Sequence, residues 1–146
     1  MEEKVTEDED VVNLISVPGL SFFSAALIKS EIFDISRFSS FNRLCSYAGL
    51  APRVSQSANK KNTGPISKNR RKMLQWILLE VVYHFIKAMP DKKEKFEIIS
   101  KRKNVNTAKV ALARDLLKVV YCILKEKRKF YNYKVRSVAD AALVGV

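Results

Sequence analysis

One histidine, two cysteines, four glycines and four prolines in 146 residues exclude several common architectures at once. Cys45 and Cys122 lie far apart inside apolar stretches, so they read as buried thiols of a reducing compartment rather than as a disulfide framework. A single His84 gives them no zinc ligand set, and its place in an apolar helical run reads as a core or boundary position. The sparse Gly and Pro supply too little turn punctuation for a β-sandwich and exclude collagen and low-complexity sequence. Carboxylates such as Glu31, Asp34, Glu80, Asp91, Glu94, Glu97, Asp115 and Glu126 are scattered, with no metal-binding spacing. No fixed-period repeat is visible. The uncharged run 11–28 reaches the length of a membrane span, but Pro18-Gly19 interrupts it and Asn13, Ser16, Ser21 and Ser24 dot it with polar groups. The segment ahead of it is acidic, the wrong flank for a signal peptide. A soluble, cytoplasmic, all-α chain is the expectation.

Positive charge is what the sequence has in excess. Lys and Arg total 27 against 15 Asp and Glu, a net of +12. Residues 1–10 hold six acids and one Lys; subtracting their net −5 from +12 leaves +17 on residues 11–146. A body that basic attracts polyanions, with nucleic acid the first partner to consider and an anionic membrane surface the second.

The pattern predicts an acidic leader over 1–10, a helical domain over 11–127 and a tail of undecided structure over 128–146. Short helices at 11–16 and 21–33 flank the turn Val17-Pro18-Gly19-Leu20, giving a helix-hairpin-helix. Ser21 is a plausible N-cap. A third helix, 40–48, stops at Gly49. Residues 50–66 lack periodicity and are rich in Ser, Asn, Pro and Gly, which makes them a long loop of the kind that carries function. Two long buried helices follow, at 67–88 and 108–125, the second capped by Asn106 or Thr107. Between them a basic amphipathic helix runs over 91–103. A compact bundle around the two long helices is therefore expected.

Between Arg53 and Lys72 the chain carries Arg53, Lys60, Lys61, Lys68, Arg70, Arg71 and Lys72 and no acid. Lys68, Arg70, Arg71 and Lys72 fall in the expected first turn and a half of the central helix. A helix N-terminus is already positive, so each cation there costs about 0.3–1 kcal/mol. Such crowding makes physical sense with a phosphate backbone laid across it, or with acids brought from elsewhere in the fold. The start of the second hairpin helix, after Gly19, offers backbone N–H groups to a phosphate as well, and equally could be an ordinary helical turn. Ser57, flanked by Arg53, Lys60 and Lys61, is a candidate nucleophile toward phosphorus, with Ser55 its local rival. The basic-aromatic stretch 125–133 could stack on bases or simply dock a helix end.

Taken together, the segments L-I-S-V-P-G-L, A-A-L-I-K-S-E-I, L-C-S-Y-A-G-L-A-P-R-V-S-Q-S, G-P-I-S-K and K-V-A-L-A-R-D-L-L-K-V-V-Y-C-I-L-K resemble the C-terminal domain of the DEDD-type insertion-sequence transposases, the insertion-sequence one-ten family. The resemblance covers about 11–127. It implies a serine nucleophile at Ser57 that attacks a DNA phosphodiester and forms a phosphoserine link. This would happen within an oligomer guided by a structured RNA, with Arg53, Lys60, Lys61 and Lys68 around the nucleic acid. It also implies an N-terminal RuvC-like half whose four acids bind magnesium; that half is missing from these residues, so magnesium is expected only with a DEDD-bearing partner. On this reading the chain is the product of a truncated or interrupted transposase gene. The alternatives are a non-catalytic nucleic-acid-binding module and an inactive remnant. The sequence departs from the family pattern at Ala58, Arg70 and Gln75, where glycine, glycine and arginine are usual.

Overall fold

The structure is a computed structural model that describes residues 8–51 and 72–130. Among these residues all regular structure is helical: α1 (Glu9–Ile15), α2 (Phe22–Ile32), a 3-10 turn (Ile35–Arg37), α3 (Phe41–Ala48), α4 (Lys72–Ala88), α5 (Pro90–Arg102) and α6 (Val105–Glu126). No described helix is long and apolar enough to cross a membrane.

Local chemistry sets most of the boundaries. Asp8 caps α1 by accepting from the Asp10 N–H at 2.9 Å. Ser21 and Ser24 cap α2 reciprocally, each side chain accepting from the other's backbone N–H, so two end donors are satisfied. Ser40 caps α3, whose last turn ends at Gly49 in the left-handed region with the Leu50 N–H returning to the Cys45 carbonyl at 2.9 Å. Pro90 opens α5, where its missing N–H costs nothing. Asn104 caps α6 through the Thr107 N–H at 2.7 Å, two residues ahead of the nearest cap expected from sequence.

The two long helices α4 and α6 pack against each other at the centre. α3 and α5 touch both of them, α2 packs on α4, and α1 lies against α2 and α6. Leu14, Ile28, Ile32, Leu44, Leu50, Leu74, Leu78, Phe85, Leu112, Leu116, Leu117 and Ile123 are the largest fully buried side chains. Each such burial contributes about 1.5–3 kcal/mol. By contrast α5 buries no residue fully and is attached through the half-buried Phe96 and Ile99.

The expected first turn of the central helix, at 67–71, lies outside the described residues. Three other sequence expectations shift. Met73 heads a four-residue apolar row with Ile77, Val81 and Phe85 in a helix expected to be buried, yet it is exposed. A four-residue step overshoots the helical repeat by about 40°, so that row winds around α4 and its first member falls on the outer face. His84 is on that outer face too. Finally, the last residues of the acidic leader belong to the fold, for Asp8 caps α1 and Asp10 is buried.

Candidate nucleic-acid interface

Of the residues singled out from sequence, Arg53, Ser57, Lys60, Lys61, Lys68, Arg70 and Arg71 lie outside the described residues, as does Ser55. Gly19 and Lys72 are placed. They are not brought together: Lys72 opens the described part of α4, while Gly19 sits against the same helix at His84 and Phe85. That is about 18 Å further along the axis.

Gly19 has a packing reason of its own. The Leu20 N–H bonds to the Val17 carbonyl at 3.1 Å, closing a turn with Pro18 second and Gly19, at φ +98, third. Only glycine adopts that conformation freely. A Cβ there would lie 2.7 Å from the Phe85 backbone nitrogen. The hairpin turn is therefore pressed directly on the backbone of α4.

The chain just ahead of the basic segment is held by side chains that sequence reasoning did not select. Gln75, in the first described turn of α4, donates to the Gly49 carbonyl at 3.0 Å. Arg114, in the middle of α6, donates to the Leu50 carbonyl at 3.1 Å. Both bonds fall on the last residues of the chain before it leaves toward Arg53. Gln75 stands where the resemblance led one to expect arginine, and its amide reaches a carbonyl that needs no charge. For Arg114 the available signal was the A-R-D-L-L run.

Beyond Arg114 a seam of cations and rings continues along α6 where α3 lies on it. The Lys118 ammonium sits 4.8 Å from the Phe41 ring centre, Phe41 meets Tyr121 edge-on at 5.8 Å, and Lys125 lies 5.8 Å from the Tyr121 ring. Cys45 faces this seam. Burial pushes its thiol up, outweighing the opposite pull of Arg114 and Lys118, so it stays protonated and unreactive at neutral pH. Cys122, expected to be buried, is only half-buried. Among the described residues Lys72, Arg114, Lys118 and Lys125 form no ion pair with an acid. Among the described residues Arg114 has a carbonyl as partner, and Lys118 and Lys125 have rings.

Three or more His, Cys, Asp or Glu side chains converge nowhere among the described residues, so these residues do not fit a magnesium site and no chemistry is routed through one.

Residues 12–97 match the family described as Transposase IS116/IS110/IS902, which is more than half of the chain. The chain belongs to this family. It is also 28% identical over 127 residues to the transposase for insertion sequence element IS1111A of Coxiella burnetii (strain RSA 493 / Nine Mile phase I). That match takes in 84% of this chain but 35% of the relative, so the chain spans about a third of the length of the curated transposase it matches. No solved structure matches. Gly19, Gln75 and the whole basic segment fall inside the family match, whereas Arg114 and Lys118 lie beyond it.

Proposed function

We propose that this transposase-family chain binds the phosphates of DNA or RNA through residues 53–72 and the cations at their root, and that Ser57 is the nucleophile for DNA strand exchange in transposition. The observation that carries the reading is the absence of acid partners for Lys72, Arg114 and Lys118 among the described residues. Cations held by neutral groups keep their full charge for an external polyanion. Membership of a transposase family supports DNA as that polyanion.

In the chemical step the Ser57 Oγ attacks phosphorus, an O–P bond forms to the serine, and one ester P–O bond of the strand breaks. The serine proton ends on the departing sugar oxygen. Nearby cations offset the charge that builds on the phosphoryl oxygens. A metal-binding half, an RNA guide and a homo-oligomer would complete the machinery.

The binding claim predicts a log–log salt dependence with a slope of about −5, for roughly six neutralised phosphates. A slope near zero would remove it. Ser57→Ala should leave affinity nearly intact yet abolish covalent protein–DNA adducts formed with a DEDD-bearing partner. The second reading is a binding module without chemistry. If the wild-type chain forms no adduct under those conditions, that second reading stands.

A further inference from the structure

The outer face of α4 carries a feature that phosphate binding does not require. Met73, Trp76 and Tyr83 are 50%, 47% and 41% exposed, although buried apolar side chains line the rest of the helix. Lys72, Trp76, Tyr83 and Lys87 recur at steps of four, seven and four residues. At 3.6 residues per turn they fall within about 60° of one another, a stripe roughly 22 Å long with an aromatic pair inside and a cation at each end. The two rings are about 10 Å apart along the axis. Tyr83 is braced edge-on by Phe96 at 5.8 Å, and the Lys109 ammonium lies 5.1 Å from its centre. Trp76 takes no ring or cation partner among the described residues.

Resting on the nucleic-acid reading above, we propose that this stripe is a stacking platform for an unpaired strand, with a base on Trp76, a second near Tyr83 and phosphates on Lys72, Lys87 and Lys109. An exposed indole gains most from a flat π-face, and base faces are free only where a strand is unpaired, since in a duplex they cover one another. Three lysines beside the rings match the charge of that strand. Glu80, on the same face and the only acid of α4, opposes it in part. Because stacking does not read base identity, the platform accepts single-stranded DNA or RNA.

Trp76 is the only tryptophan of the chain, so its emission reports on this site alone. The full chain is titrated with a short labelled thymidine oligonucleotide, its uridine counterpart and a duplex, following tryptophan emission and label anisotropy together. The single strands should quench Trp76. Trp76→Ala should weaken single-strand binding roughly tenfold while changing duplex binding less than about twofold, Trp76→Phe should recover most of the loss, and Glu80→Gln should tighten binding slightly. The difference between the thymidine and uridine arms tells which strand is preferred. Anisotropy that reports binding with unquenched tryptophan, or equal weakening of duplex and single strand in Trp76→Ala, overturns the platform and leaves the phosphate reading intact. No binding of any oligonucleotide overturns both. An emission change that follows protein concentration without nucleic acid, together with self-association in solution that Trp76→Ala abolishes, gives the face to a second copy instead. A thermal unfolding curve of Trp76→Ala that matches wild type shows that none of these results comes from misfolding.

Discussion

Where α1 begins and α6 ends, cations meet a carboxylate; along the seam of α3 and α6 they meet carbonyls and rings. In the first region Asp10 is 6% exposed and receives Lys29 at 2.8 Å and Lys127 at 3.2 Å, joining three elements through one acid. Asp115 does the same for Lys92 and Lys95, tying α5 to α6. In the second region Arg114, Lys118 and Lys125 hold neutral partners, and Lys72 stands free of acids among the described residues. The difference separates two uses of lysine and arginine in one small domain. Neutralised charges fasten helices together, and charges left unneutralised give the surface its field.

The largest change should come from Gly19→Ala, which tests the packing of the hairpin on α4. A side chain at φ +98 meeting the Phe85 backbone should cost about 2–4 kcal/mol, measured by urea unfolding. Asp10→Asn comes next, because it leaves Lys29 and Lys127 facing each other. A loss of about 1–2 kcal/mol is expected, below that of a fully buried pair, since Lys127 is 58% exposed and water screens it. The same residue gives the pH test. Burial alone would raise its pKa, but hydrogen bonds and charge from Lys29 and Lys127 outweigh that and hold the carboxyl below 3.8. A depressed folded value means that the stabilisation is complete above 3.8 and is lost as pH falls through the folded value. The stability gap between wild type and Asp10→Asn should therefore be constant from neutral pH down to that point and close below it.

Arg114→Ala should cost about 1–2 kcal/mol for the lost bond to Leu50, and Arg114→Lys should recover little of it, because lysine lacks the planar reach of guanidinium. The smallest stability effect belongs to Lys118→Ala, within about 1 kcal/mol, as its ring contact is weak. Its affinity for DNA should nevertheless drop, with the salt slope shallower by about one. If Lys118→Ala instead destabilises the fold and leaves affinity unchanged, the contrast between the two regions fails.

Much of the fold was legible in short-range chemistry. Ser21 is a cap in the structure as in the sequence, and Gly49 ends α3 where the apolar spacing stops, because a cap depends on atoms three or four residues away. Where neighbouring residues competed, the reading slipped: Asn104, not Asn106 or Thr107, takes the start of α6. Most of the candidate site lies outside the described residues. Lys72 stood out by position, but Gln75 and Arg114 did not, since their partners are 26 and 64 residues away. The turn at Pro18-Gly19 was plain from sequence, while the second demand on Gly19, contact with His84 and Phe85, comes from a helix far along the chain.

By itself the sequence determined the helical class, the helix ends at Ser21 and Gly49 and the surplus of +12, because these are local or simply additive. Tertiary structure alone decided which cations are cancelled. Charge interactions and hydrogen bonds depend on distance through space, and only folding set Asp10 beside Lys127 while leaving Arg114 with a carbonyl.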